Sequence, residues 1–252
     1  MIEVKNVSQT FHTARGPFQA LVDVSLSIPK GDFVAIIGRS GAGKSTFLRT
    51  LNGLLIPSQG QVVVDGTDIT KLPKRELQKY RRTVGFIFQQ FNLVTRLSVL
   101  DNVLHGRLGY LPTWRGLLGL YSDRDYEIAR QQIARVDLSA KETARVDSLS
   151  GGQQQRVAIA RAMAQEPTLI LADEPAANLD PVLSEEVMRT LRHFNATDGV
   201  TVVINIHTLE LARQYARRII AFRRGRLVFD GAPQELTEEL VDGIYERKEM
   251  LA

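Results

Sequence analysis

The chain of 252 residues has no cysteine, one Trp, four Met and four scattered His. Without cysteine there is no disulfide framework and no thiolate metal site, which fits a reducing compartment. The four His do not form a metal-ligand pattern. No apolar stretch approaches the ~20 residues needed to cross a bilayer, and the first thirty residues lack a charged-then-apolar leader. The expectation is a chain neither exported by that route nor membrane-spanning. Excess charge of one sign is also scarce, with 32 Lys and Arg against 28 Asp and Glu for a net +4. The pairs Arg81-Arg82, Arg217-Arg218 and Arg223-Arg224 could favour anionic lipid headgroups or nucleic acid, but pairs this short usually decorate a solvated face. Internal repeats and low-complexity tracts are absent as well.

What is present is an ordinary globular composition, 44% hydrophobic and 24% charged, in a chain long enough for one large domain spanning 1–252. Ile2 to Val7 and Leu21 to Ile28 alternate apolar and polar residues, as half-exposed antiparallel strands do. Phe33 to Ile37 is continuously apolar and belongs in the middle of a sheet. A glycine-rich turn follows, then helical spacing from Thr46 to Leu55. Further buried strands are expected at Leu169 to Ala172 and Thr201 to Ile204, with helices near 182–194 and 208–217. This order predicts an α/β fold with a largely parallel sheet. From about 97 to 165 the pattern is helical without a convincing strand, so that block reads as a helical lobe inserted into the α/β core. Thr237 to Ala252 reads as a short charged helix.

Three stretches carry chemistry. Gly38-Arg39-Ser40-Gly41-Ala42-Gly43-Lys44-Ser45 fits the phosphate-loop template in full, with a strand before it and a helix after it. Its glycines let backbone N–H groups wrap a β-phosphate at a helix N-terminus, Lys44 bridges β- and γ-phosphates, and the Ser45 hydroxyl suits Mg²⁺. Leu169 to Ala172 places Asp173 at the carboxyl end of a buried strand, within reach of that ion or its water. Glu174, one residue on, is placed to orient or deprotonate an attacking water. Ser150-Gly151-Gly152-Gln153 opens a helix read from Gln154 to Ala164 and offers a second anion-binding N-terminus.

Together, in this order and spacing, these stretches resemble the ATP-binding cassette family over nearly the whole chain. The resemblance implies a phosphate-loop NTPase core with a mixed sheet, an N-terminal antiparallel β-subdomain and an inserted α-helical subdomain. It implies ATP and Mg²⁺ as cofactors, with Gly38, Arg39, Ser40, Gly41, Ala42, Gly43, Lys44, Ser45 and Thr46 cradling the nucleotide. Ser150, Gly151, Gly152 and Gln153 then face the γ-phosphate bound by the opposite subunit of a head-to-tail homodimer. Gln89, with Gln90 as its competitor, matches the glutamine that senses γ-phosphate and metal. The metal set is thus Ser45, Gln89 and Asp173. His207 matches the switch histidine beside the catalytic Glu174. Asp180 matches the loop that crosses the dimer interface, although Ala177 and Asn178 replace its commoner Ser-Ala opening and put the serine's hydroxyl contact in doubt. Phe11 sits where an aromatic stacks on adenine, and Phe18 competes for that place.

Outside the universal motifs, Gly85 to Val94, Leu97 to Leu104, Leu149 to Ala162 and the segment Gly106 to Ser122 look like the ATPase subunit of bacterial phosphonate importers. Thr95 departs from a common proline there. That resemblance implies a peripheral protein on the cytoplasmic face of the inner membrane. Its partners are permease subunits, a periplasmic or lipid-anchored binding protein acts through them, and nucleic acid is not among them. Importers of phosphite, hypophosphite or phosphate share most of the pattern. A DNA-associated cassette is disfavoured because no heptad run or cysteine module separates Lys44 from Ser150. A mechanotransmitting cassette differs only in its partner. Finally, Tyr110, Leu111, Trp114, Leu117, Leu118 and Tyr121 form an apolar strip that either meets a permease helix or folds back onto its own lobe.

Overall fold

The computed structural model describes residues 1–14, 16–177 and 179–245. β1 (Ile2–Thr13) and β2 (Gly16–Ile28) pair antiparallel, and β3 (Phe33–Ile37) leads through a tight loop into α1 (Lys44–Leu51). β4 (Gln59–Val64) and β5 (Thr67–Asp68) follow, then α2 (Lys74–Arg82) and β6 (Val84–Ile87). Next come α3 (Val99–Leu104), α4 (Thr113–Leu117), α5 (Asp123–Arg135) and α6 (Gly151–Met163), with short 3-10 turns between them. The chain returns through β7 (Leu169–Asp173), α7 (Pro181–Asp198), β8 (Thr201–Asn205), α8 (Leu209–Tyr215), β9 (Arg218–Arg223), β10 (Arg226–Gly231) and α9 (Glu238–Tyr245).

Two sheets result. The smaller has the order β2-β1-β4-β5 and is antiparallel; the larger has the order β10-β9-β3-β8-β7-β6 and is parallel except for β10. The mixed, largely parallel α/β fold is therefore as the sequence implied. Successive side chains point to opposite faces and both faces are buried, so the central strands read as unbroken apolar runs. Phe33, Ala35 and Ile37 of β3 join one core with Val157, Met188 and Leu191 from the helices. Val34 and Ile36 join the other with Val4 and Leu21 of the smaller sheet and Phe47 and Leu48 of α1. Both faces of the sheet are covered, so only the strand ends are open for chemistry.

Element boundaries differ from the sequence reading in instructive places. The β1–β2 hairpin runs well past Val7 and begins before Leu21, because Phe11 pairs with Phe18 and Thr13 with Gly16 on an exposed ribbon where no burial alternation exists to be read. α1 stops at Leu51, where Asn52 caps it and Gly53 adopts φ +62° against Leu77. α6 starts at Gly151, three residues earlier than read, because Ser150 and Gln153 form a reciprocal capping box. Of the charged tail, Glu238–Tyr245 is helical, and 246–252 lie outside the described residues. Among the described residues no helix is long and apolar enough to cross a membrane.

The segment Gly106 to Ser122 divides into an anchored part and an exposed part. Arg107 is buried, with Nε 2.9 Å from Asp125 Oδ1 and Nη1 within 2.9 Å of the Ala164 carbonyl oxygen. Its guanidinium lies 4.2 Å from the Tyr110 ring centre, and the Tyr110 hydroxyl donates to the Gln165 carbonyl at 2.7 Å. Beyond Pro112, Trp114 is 60% exposed, Leu117 83% and Leu118 68%. Folding back onto the lobe thus accounts for Arg107 and Tyr110 but not for Trp114, Leu117 and Leu118.

Candidate functional site

The carboxyl ends of β3, β7 and β8 lie side by side, with Ile36 in register with Asn205 and Asn205 in register with Asp173. Everything that follows those ends is therefore gathered at one edge of the sheet, where open α/β sheets place their ligands. β3 delivers the loop 38–43, β7 delivers Asp173 and Glu174, and β8 delivers His207. A cleft of about 390 Å³ opens there, lined by Phe18, Ala20, Ser40, Gly41, Gly43, Lys44, Ser45, Thr46, Gln89, Glu174 and His207.

The loop needs glycine at two points. At Gly38, φ is +141° and a side chain would collide with the Phe222 carbonyl oxygen; at Gly43, φ is +105° and it would collide with that of Ala20. The resulting curl carries Gly43 as the N-cap of α1, with no acidic residue in the helix's first turn. Lys44 is buried, and its Nζ donates to the Gly38 and Arg39 carbonyls at 2.8 and 3.1 Å, closing the loop on itself. Burial pushes the Lys44 pKa below its ordinary value, while the carboxylates of Glu174 and Asp173 pull the other way.

Across the cleft floor, Ser45 Oγ donates to Asp173 Oδ1 at 2.8 Å and Asn205 Nδ2 donates to the same oxygen at 2.6 Å. A hydroxyl and a carboxylate this close form an all-oxygen donor pair that fits a hard cation such as Mg²⁺, which keeps part of its water shell. Glu174 stands at φ +53°, a left-handed conformation that strains a non-glycine residue by about 1–3 kcal/mol. The turn swings its carboxylate out of the β7 line and towards His207, whose Nε2 lies 2.5 Å from Glu174 Oε1. Gln89 is exposed and lines the cleft, whereas Gln90 is not among the lining residues.

The structure brings most of the sequence-derived residues together and sets others apart. Phe18 lines the cleft and Phe11 does not; the two are cross-strand partners in the β1–β2 hairpin. Ser150, Gly151, Gly152 and Gln153 are absent from the lining of this cleft. They form the N-terminus of α6, where Ser150 Oγ accepts from the Gln153 backbone N–H and Gln153 Oε1 accepts from Lys141 Nζ at 3.0 Å. Gly151 and Gly152 face Leu179 and Leu183, beside Asp180, whose carboxylate caps α7 by accepting from the Leu183 N–H at 3.0 Å. Asn178 lies outside the described residues.

Arg161 was not singled out from sequence. It donates to the Phe91 and Asn92 carbonyls at 2.8 and 2.5 Å, directly after Gln89 and Gln90, where two successive residues have positive φ. One helix, α6, therefore has Ser150 at its start and grips the Gln89 loop near its end. An arginine in a helix interior gives no sequence signal of this, since its partners are backbone carbonyls about seventy residues away.

A family model described as ABC transporter matches residues 21–177. The chain is 48% identical over 248 residues, 98% of its length and 95% of the relative's, to the phosphonates import ATP-binding protein PhnC 3 of Halalkalibacterium halodurans. It is 51% identical to a phosphonates import ATP-binding protein of Rhodopseudomonas palustris, covering 93% of this chain and 87% of that one. Among solved structures it is similar to the dimeric bacterial ABC transporter cassette MJ0796, with a TM-score of 0.82 and 38% identity over 92% of this chain and 99% of that one. With a family model covering more than half of its length and relatives near half-identical end to end, the chain belongs to the ABC transporter family.

Proposed function

We propose that the chain is the ATP-binding and hydrolysing subunit of an importer for phosphonate or a related phosphorus oxyanion. It works as a head-to-tail homodimer at the cytoplasmic face of the membrane, beneath permease subunits that receive substrate from a periplasmic or lipid-anchored binding protein. The single observation that carries the catalytic part is the cleft in which Lys44, Ser45, Gln89, Glu174 and His207 converge. The substrate part rests on the phosphonates import relatives, which match this chain end to end.

In this reading the loop 38–43 and the N-terminus of α1 hold the β-phosphate through backbone N–H groups. Lys44 exchanges its bonds to the Gly38 and Arg39 carbonyls for the β- and γ-phosphates. Phe18, the aromatic on the cleft wall, stacks on the base in preference to Phe11. Ser45, Gln89 and Asp173 would hold Mg²⁺, which when bound would neutralise negative charge on the triphosphate. Glu174 orients the attacking water and accepts its proton, and His207 holds the Glu174 carboxylate and contacts the γ-phosphate. The second phosphate contact comes from Ser150 to Gln153 of the partner copy. Two facts support that assignment: these residues sit outside their own chain's cleft, and among the described residues the helix N-terminus is capped by the Ser150 and Gln153 side chains. Asp180, beside them, belongs to the same interface.

The helical block from about 97 to 165 moves with nucleotide and carries the permease, docked on the exposed face of Trp114, Leu117 and Leu118. The test of the whole reading is reconstitution with its permease and binding protein in vesicles. Loaded binding protein should stimulate ATP hydrolysis and drive phosphonate uptake, and a carrier that ignores phosphonate, phosphite and phosphate alike would refute the substrate assignment.

A further inference from the structure

Asn205 closes β8, a strand buried at every position and otherwise composed of Thr201, Val202, Val203 and Ile204. It is completely buried, between Ile36 of the strand that feeds the phosphate loop and Asp173 of β7. Its Nδ2 donates to Asp173 Oδ1 at 2.6 Å, while its own Oδ1 has no hydrogen-bond partner among the described residues. The amide presents its NH₂ group to the carboxylate and its carbonyl oxygen away from it. Burying an amide with its acceptor unpaired is unfavourable, and a valine or isoleucine would complete the strand without that cost. The amide must therefore do something that packing does not require.

We propose that Asn205 is a positioning residue for Asp173 in the metal site. Ser45 Oγ and Asn205 Nδ2 both donate to Asp173 Oδ1, at 2.8 and 2.6 Å. With one oxygen held by two donors the carboxylate cannot rotate freely, and Oδ2 is the oxygen left to face the ion or its water. The unpaired Oδ1 of Asn205 belongs to the same buried amide that holds Asp173 Oδ1, so the side chain's defined hydrogen bond is the one to the carboxylate. The same bond ties the end of β7 to the end of β8, one residue before Glu174 and two before His207. Asn205 thus fixes the spacing of the two loops that meet in the Glu174–His207 contact.

This inference rests on the reading of the cleft as a MgATP site, and the test separates the two. Asn205→Val and Asn205→Ser are compared with the unmodified full chain. A fluorescent ATP analogue is first bound in EDTA, and its affinity is then followed as Mg²⁺ is added. The expected result is metal-free affinity within about twofold of the unmodified chain for both variants, with the Mg²⁺ midpoint raised about tenfold or more in Asn205→Val. Asn205→Ser, which keeps a short donor, should recover part of that shift. Mg²⁺ midpoints within twofold of the unmodified chain in both folded variants would overturn the assignment, with Asn205→Ser deciding alone if Asn205→Val does not fold. An unmodified chain whose nucleotide affinity ignores Mg²⁺ would overturn the underlying reading and this inference with it.

Discussion

His207 Nε2 and Glu174 Oε1 lie 2.5 Å apart, joining the loop after β8 to the loop after β7 across the mouth of the cleft. The contact holds the carboxylate from one side while the left-handed backbone at Glu174 holds it from the other. In the proposed mechanism a group fixed in this way orients water without further reorganisation. Glu174→Gln keeps the shape and most of the hydrogen bonding but cannot take a proton. It should bind ATP normally and turn over ~10²-fold or more slowly, with ATP then trapping a dimer visible by size-exclusion chromatography. Turnover at the unmodified rate would remove Glu174 from its role.

In the proposed mechanism Lys44 makes a contrasting case, because its cation would contact phosphate before any reaction. Lys44→Ala should lose nucleotide affinity first and rate second. The pH dependence has a definite sign. Burial lowers the Lys44 pKa, so the proton is lost earlier on the alkaline side than from a free lysine, and phosphate binding weakens as pH rises. The fold does not weaken with it: the unfolded chain binds the extra proton in that window, so this group's contribution to stability rises with pH. Titrating affinity for an ATP analogue from neutral to about pH 10 should show the alkaline loss, and Lys44→Arg should abolish that limb if it binds at all.

What the sequence discloses depends on where the signal lies. β3, β7 and β8 were readable because burial on both faces makes unbroken apolar runs, and the phosphate loop because steric demand fixes its glycines. β6 gives little strand signal: it is four residues long and includes Gly85, where a side chain would press on the Ala162 carbonyl. β9 and β10 were hidden by their arginines. Their turn uses positive φ at Arg224 and Gly225, a role usually signalled by Asn-Gly. Phe11 and Phe18 could not be separated from sequence because they are cross-strand partners in one hairpin. Asn205 did leave a trace, as a lone amide ending an apolar strand.

Arg107 gives a prediction about stability. Its ion pair with Asp125 is almost fully buried, with side chains 6% and 7% exposed. Removing one partner strands the other, so Arg107→Met should lower unfolding free energy by about 3–5 kcal/mol, read by urea denaturation. Burial raises the Asp125 pKa, but bonds from Ser122 and from Arg107 outweigh it and hold the carboxyl below its ordinary value. A depressed carboxylate contributes stability above its unfolded value and loses it as pH falls through the folded one. The unmodified chain should therefore weaken in acid more steeply than Arg107→Met does.

Trp114 is the opposite kind of residue. At 60% exposure it contributes little to the fold, so Trp114→Ala should change unfolding free energy by no more than about 0.5 kcal/mol and leave basal ATP hydrolysis intact. If this face receives the permease, co-purification with the permease and stimulation by loaded binding protein should fall together, as loss of an aromatic anchor at an interface does. An assembled, fully stimulated Trp114→Ala transporter would move the docking surface elsewhere.

The central claim is that one active site needs two copies of this chain, one supplying Lys44, Ser45 and Glu174 and the other Ser150 to Gln153. The most direct measurement is the rate of ATP hydrolysis by the isolated chain against protein concentration, at saturating MgATP. If each site is shared, the rate per chain should be near zero at high dilution and climb with concentration until dimers form, so total activity rises more steeply than linearly. A rate per chain that is constant from high dilution upward, from a species shown to be monomeric, would contradict the account.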